Sequence, residues 1–248
     1  MNNKVHINLN NKTILVTGSP GFIGANLVLR LLKEMNAGTI ISFDSMNDYY
    51  DPKLKEYRLN LIEEAAKKSN VNHIFIHGNL ADKTLIDNVF NKYQPAIVVN
   101  LAAQAGGRYS IDHPDMYIEA NIIGFYNILE ACRHSYDNNQ KGVEHLVYAS
   151  SSSVYGGNKK VPFSIEDKVD NPVSLYAATK KATSCWLIAI PSCITSPPRV
   201  CGSSPCTVLP AVQTCSTSPP PRSWPQAKPS KSSTTANASG ILPTLMTS

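Results

Sequence analysis

Thr13-Ile14-Leu15-Val16-Thr17-Gly18-Ser19-Pro20-Gly21-Phe22-Ile23-Gly24 is the stretch on which the reading of this chain turns. β-Prone residues run into a turn with glycines at 18, 21 and 24, and residues 25–32 follow with apolar positions at helical spacing. A strand, a glycine turn and a helix N-terminus make an anion site, because free backbone N–H groups and the helix dipole converge on one point. Gly18 suits the tight turn, Gly21 a close approach to a pyrophosphate and Gly24 close helix–strand packing. An ordinary glycine-rich turn is the alternative, but the strand before and the helix after supply the context the motif needs.

Outward from this loop, residues 13–150 alternate between two patterns. Short apolar runs at 13–17, 39–44, 73–77, 96–101 and 145–150 predict strands buried on both faces. Helical spacing predicts helices over 22–35, 52–68, 83–92 and 116–133. Such alternation predicts an α/β fold, a doubly wound parallel sheet of the Rossmann type. Its second strand ends in Asp44, which follows Gly24 by 20 residues. An acid there accepts both ribose hydroxyls of an adenosine and repels a 2′-phosphate. Ser45, Met46 and Asn47 offer that phosphate no cation, so NAD is favoured over NADP. Alternatively, Asp44 caps a turn. After the fourth strand, the small residues of Asn100-Leu101-Ala102-Ala103-Gln104-Ala105-Gly106-Gly107-Arg108 let a cofactor lie against the backbone, or else serve tight packing under a loop.

Composition removes several function classes. The formal charge of the 248 residues is +5, yet residues 1–170 carry 17 basic and 18 acidic side chains, a net of −1. The remaining 78 residues hold 6 basic side chains and no acid, so the basicity belongs to the tail and implies no nucleic-acid partner. Cys132 stands alone early while five cysteines crowd the tail, without CxxC spacing or a histidine pairing that suggests metal. Residues 1–12 are polar and lack a signal peptide's apolar run, and no apolar run approaches membrane-spanning length. The expectation is a cytoplasmic protein with reduced thiols and no membrane partner.

The fifth strand leads into Ser150-Ser151-Ser152-Ser153-Val154-Tyr155-Gly156, and further on comes Tyr176-Ala177-Ala178-Thr179-Lys180. Tyr176 and Lys180 are four apart and share one helix face. An ammonium beside the phenol favours the phenolate, lowering its pKa from about 10 toward neutrality. Such a tyrosine takes a proton from a sugar hydroxyl as hydride leaves for NAD. Ser151, at a strand end 25 residues earlier, is placed to hydrogen-bond the same hydroxyl. Alone, YxxxK is common on helix surfaces; its order after the glycine loop and Asp44 gives it weight.

Together these residues resemble the extended short-chain dehydrogenase/reductase family of nucleotide-sugar enzymes, and within it the UDP-glucuronate 4-epimerases. The likeness rests on VTGSPGFIG (16–24), SFDSMNDYYDPKLKEYR (42–58), NLAAQAGGRYSI (100–111), YASSSSVYG (148–156) and SLYAATKKA (174–182), and covers residues 13–182. It implies NAD held by Gly18, Gly21, Phe22, Ile23, Gly24, Asp44, Asn79, Leu80, Leu101, Ala102, Ala103, Asn121, Tyr176 and Lys180. Ser151, Tyr176 and Lys180 become the implied catalytic set, with Ala105, Arg108, Ser151, Ser152 and Ser153 facing a UDP-sugar substrate. Relatives of this fold often form homodimers through two long helices. Asn79, Asn100, Gly107 and Pro20 replace the family's usual aspartate, histidine, valine and alanine. A dehydratase needs an acid/base pair beside the first hydroxyl residue, where this chain has Ser152 and Ser153, so the serine run favours epimerisation. A UDP-glucose or UDP-galactose enzyme is the alternative within the family.

The likeness stops near residue 182. Residues 182–248 hold 11 of the 17 prolines and no acid, histidine or phenylalanine, and read as an irregular low-complexity tail over 183–248. The genetic code offers a sharper account. Joining each codon's third base to the next codon's first two turns Cys185-Trp186 into Leu and Met246-Thr247 into Asp. In that frame, residues 200–215 permit LRFFTVYGPAGRPDM and residues 239–248 permit RDFTYIDDI, strings this epimerase family carries downstream of YxxxK. The hypothesis is a single-base loss near Ala182 that replaces the substrate domain. Sequencing the gene, above all around codons 180–184, tests it, and an intact single frame through codon 248 without these strings one frame over sinks it. This predicts an NAD-binding Rossmann domain over 1–182 that is poorly stable and does not turn over. The second possibility is therefore a non-catalytic nucleotide-binding fragment.

Overall fold

The structure, a computed structural model, describes residues 8–137, 141–160, 162–164, 167–193 and 207–209. In chain order its strands are β1 (Lys12–Thr17), β2 (Gly38–Asp44), β3 (Val71–His77), β4 (Ile97–Asn100) and β5 (His145–Ala149). Between them lie α1 (Phe22–Glu34), α2 (Pro52–Ala66), α3 (Lys83–Tyr93), the single turns α4 (Tyr109–Asp112) and α5 (Pro114–Tyr117), and α6 (Gly124–His134). After β5 come a 3₁₀ turn (Ser152–Tyr155) and α7 (Leu175–Cys193). A three-residue strand, β6 (Thr207–Leu209), completes the sheet order β3-β2-β1-β4-β5-β6, all described pairs parallel. This is the doubly wound α/β sheet the alternation predicts.

Both sheet faces are covered, which explains the continuous apolar strands. On one face Ile14, Val16, Ile40, Val99 and Val147 meet Leu27, Val28, Leu31 and Leu32 of α1. On the other, Leu15, Ile41, Phe43, Val98, Leu146 and Tyr148 meet Ile86, Val89 and Phe90 of α3 and Phe125, Ile128 and Leu129 of α6. The period-two alternation of a strand sends neighbours such as Ile14 and Leu15 to opposite clusters. Each such aliphatic side chain, once buried, contributes roughly 1.5–3 kcal/mol before entropy is counted.

Local capping fixes the helix starts. Asp51 accepts from Lys53 N ahead of Pro52, and Asp82 accepts from Leu85 N. The helix predicted over 116–133 differs in detail. Its first part is α5, its middle (Ile118–Ile123) is π-helical, with Gly124 N–H reaching back to Glu119 O, and only then does α6 begin. One residue is thereby inserted into the helical repeat, a local widening that periodicity does not reveal. At the other end, regular structure continues past 182: α7 runs to Cys193, and Trp186 packs on the second core cluster and against the Tyr126 ring, edge to face at 6.1 Å. β6 pairs with β5, setting Thr207 opposite Val147 and Leu209 opposite Ala149. The rest of the predicted tail lies outside the described residues.

Candidate functional site

β1 has β2 on one side and β4 on the other, so chain connections leave it in both directions. A crevice opens at the carboxyl end of such a strand. Residues 18–24 sit there. Gly18 has φ +70°, and a Cβ on it would stand 2.8 Å from Ala102 N. A Cβ at Gly24 would stand 2.2 Å from Gly18 O. Only glycine lets the loop pass this close to β4 and to the first turn of α1. The start of α1 has no side-chain cap, and the buried Ser19 hydroxyl has no hydrogen-bond partner among the described residues. Uncapped N–H groups, a spare hydroxyl and a surface shaped by missing Cβ atoms fit the pyrophosphate of a dinucleotide.

Asp44 ends β2 beside this loop. Its Oδ1 accepts from Met46 N at 2.6 Å and from the Lys55 ammonium at 3.1 Å. Lys55 is 4% exposed and also donates to Asn47 Oδ1 at 2.8 Å, with its Nζ 5.3 Å from the centre of the Tyr50 ring. Arg58, one turn further along α2, reaches Pro20 O and Tyr50 Oη, each at 3.4 Å. Residues 45–47 supply no cation, as expected, but α2 folds back and brings Lys55 onto Asp44 and Arg58 onto the loop before α1. The sequence signal was available in the spacing of Lys55 and Arg58 just after Pro52.

The segment after β4 is fixed from three directions. Thr17 Oγ1 donates to Asn100 Oδ1 at 2.6 Å and accepts from Ala102 N at 3.2 Å, and Leu101 N donates to Thr17 O. Asn121, 2% exposed, accepts from Gln104 N at 2.8 Å and donates to Gln104 O at 3.0 Å and Thr179 Oγ1 at 3.1 Å. Asn121 thus clamps the loop to α7 with both ends of its amide. The Tyr117 hydroxyl donates to the carbonyls of Ala105 and Gly106. Burial pushes the Tyr117 phenol up to about 12. Leu101, Ala102 and Ala103 are half-buried along this segment. Asn79 is exposed, accepting from Ala81 N and donating to Glu119 Oε1. Leu80 is buried in the second core cluster, and its carbonyl accepts from Asn127. Phe22 is 60% exposed, its ring beside the Arg58 guanidinium. Arg108 is exposed at the start of α4.

Ser151, Tyr176 and Lys180 come together between β5, the 3₁₀ turn and α7, and all three are buried. Ser151 Oγ accepts from Ser153 N at 3.2 Å and from Ser153 Oγ at 2.8 Å. With those lone pairs in use, the Ser151 proton is free to be given away. Burial raises the Tyr176 pKa, and the hydrogen bond with Ser151 opposes that rise. Lys180 donates to Ala149 O at 3.1 Å, and burial alone brings its pKa down to about 8. From the spacing alone, the ammonium is expected to depress the phenol. In the structure Lys180 is turned to the end of β5, burial dominates at Tyr176, and Ser151 is the group that lowers it. Tyr117 lies edge-on to Tyr176, with ring centres 6.1 Å apart. Ser152 is half-buried beside Ser153.

Residues 15–191 match the family described as GDP-mannose 4,6 dehydratase, and the chain belongs to that family. Protein CapI of Staphylococcus aureus is 48% identical over 169 residues, which are 68% of this chain and 46% of that protein. UDP-glucuronate 4-epimerase 4 of Arabidopsis thaliana is 47% identical over 174 residues, 70% of this chain and 37% of that one. Among solved structures, the Thermus thermophilus UDP-glucose 4-epimerase in complex with NAD superposes with a TM-score of 0.57 at 29% identity, covering 73% of this chain and 51% of that one. The chain spans less than half the length of these curated relatives. No helix among the described residues is long and apolar enough to cross a membrane.

Proposed function

We propose that residues 13–193 are the NAD-binding part of a nucleotide-sugar 4-epimerase, and that the sugar nucleotide is UDP-glucuronate. The observation that carries this reading is the convergence of Ser151, Tyr176 and Lys180 at the carboxyl end of the same sheet that holds the glycine loop and Asp44. Relatives named UDP-glucuronate 4-epimerase support the substrate, and an NAD complex among the structural relatives supports the cofactor.

In this reading Phe22, Ile23 and Gly24 offer the pyrophosphate the free backbone N–H groups of the first turn of α1. Gly18 and Gly21, whose own N–H groups donate to Phe43 O and Gly18 O, shape the loop so that it comes close, and Asp44 accepts the adenosine ribose hydroxyls. Leu101, Ala102 and Ala103 present a flat backbone to the nicotinamide half, while Asn121 holds that backbone in place. Bound NAD would supply a hydride acceptor for C4 of the sugar and a positive ring that favours the phenolate. Tyr176 takes the proton of the C4 hydroxyl as the carbonyl forms, and returns it when the keto-sugar is reduced on its other face. Ser151 donates to the same oxygen, its donor direction set by Ser153. Lys180 holds α7 against β5 through the Ala149 carbonyl. Ser152, Ser153, Ala105 and Arg108 face the sugar. Asn79 and Leu80 line the adenine end through backbone and amide rather than through the buried leucine side chain.

A second reading, cofactor binding without turnover, is favoured by the share of the relatives' length that this chain spans. One experiment separates the two: titrate the purified chain with NAD, then add UDP-glucuronate and follow UDP-galacturonate. Binding with turnover supports the first reading and binding without turnover the second. Absence of NAD binding sinks both.

A further inference from the structure

One cation of α2 reaches the carboxylate at the end of β2, and a second reaches the loop that leads into α1. Lys55 Nζ is 3.1 Å from Asp44 Oδ1, and the guanidinium of Arg58 lies between the Pro20 carbonyl and Tyr50 through contacts of 3.4 Å. Asp44 is 8% exposed and Lys55 is 4% exposed. A buried ammonium is tolerated only where partners replace its water, and Lys55 has three: the Asp44 carboxylate, the Asn47 amide oxygen at 2.8 Å and the Tyr50 ring face. The acid that should repel a 2′-phosphate is thus matched by one buried cation. Without the carboxylate, this corner would carry uncompensated positive charge next to the adenosine ribose.

We propose that Lys55 is a specificity-determining residue for the dinucleotide. It holds Asp44 in the orientation that takes a 2′-hydroxyl, and it is itself a latent 2′-phosphate ligand that Asp44 alone keeps from acting. This rests on the reading of the glycine loop and Asp44 as a dinucleotide site. The Asp44→Asn change keeps an oxygen for Met46 N and Lys55 but removes the negative charge, so a 2′-phosphate becomes the group that balances Lys55.

The test is calorimetric titration of the 248-residue chain with NAD, NADP, 5′-ADP and 2′,5′-ADP, for the parent, Asp44→Asn, Lys55→Met and the double variant. The parent is expected to prefer NAD. Asp44→Asn should move the NADP-to-NAD preference toward NADP by roughly tenfold or more, with 2′,5′-ADP following the same trend, and the double variant should lose that gain. Lys55→Met alone should weaken NAD and leave NADP excluded. The proposal is overturned if folded Asp44→Asn shows no shift, if the shift survives in the double variant, or if Lys55→Met by itself improves NADP binding. Should Asp44→Asn fail to fold, the Lys55→Met result still decides. A parent that binds neither dinucleotide removes the dinucleotide reading and this inference together, whereas NAD binding without the expected shift removes only the inference.

Discussion

Lys180 Nζ donates to the main-chain carbonyl of Ala149 across 3.1 Å, so the lysine of the YxxxK motif ties α7 to the last residue of β5. The bond explains how a lysine can be buried at the heart of the site.

Burial lowers the Lys180 pKa to about 8, below its value in the unfolded chain. Between pH 8 and about 10.4 the unfolded chain therefore holds more protons, and stability rises with pH by up to about 3 kcal/mol from this group. From about pH 10 upward the raised pKa values of Tyr49, Tyr50, Tyr117 and Tyr176 act in the opposite sense, because the folded chain keeps protons that the unfolded chain releases. Urea unfolding at pH 7.5, 9.5 and 11 should show a rise and then a fall. In Lys180→Met the rise should vanish; a rise that persists would assign it to another group.

Ser151 is the group that lowers the Tyr176 pKa against the effect of burial. Replacing Ser151 with alanine should raise the Tyr176 pKa further, and Ser153→Ala should do so more weakly by freeing the Ser151 lone pairs. A titration followed by tyrosine ring-carbon NMR reads this directly. An unchanged Tyr176 signal in Ser151→Ala would remove Ser151 from that role.

The loop tolerates no Cβ at Gly24, where it would meet Gly18 O at 2.2 Å. Gly24→Ala should cost more than about 2 kcal/mol in stability and abolish NAD binding, because α1 must move off β1. Gly157→Ala is the control: nothing lies within 4 Å of its Cβ, so the change should stay within about 0.5 kcal/mol. Denaturant midpoints for the two variants settle the comparison.

Asn121→Ala leaves both backbone groups of Gln104 without their side-chain partner and takes a donor from the Thr179 hydroxyl, which keeps its own donation to Tyr176 O. Buried polar groups stranded in this way cost about 1–3 kcal/mol each at the upper end, so a loss of about 2–4 kcal/mol is expected. Hydrogen exchange at Gln104 N–H should accelerate in parallel. Unchanged protection there would mean that the loop is held by other contacts.

Much of the fold was legible because it depends on short-range regularities. The strands at 13–17, 39–44 and 73–77 lie within a residue or two of β1, β2 and β3, since continuous apolar runs and flanking helical periods survive in the sequence. The π-helical step at Ile118–Ile123 was not legible. It inserts one residue into a helical pattern whose side-chain chemistry is unchanged.

The candidate site divides along the same line. Sequence by itself determined the glycine loop, Asp44 at the next strand's end and the Tyr176–Lys180 spacing, because each is a rule about residues close in the chain or at a fixed offset in a βαβ unit. Only the tertiary structure decided that Lys55 neutralises Asp44, that Asn121 joins Gln104 to Thr179 across 17 and 58 residues, and that Lys180 turns to Ala149 rather than depressing Tyr176. Those contacts depend on where packing places α2, the π-helical segment and α7 on the sheet, and a buried charge or amide takes whichever partner that packing brings within hydrogen-bond reach.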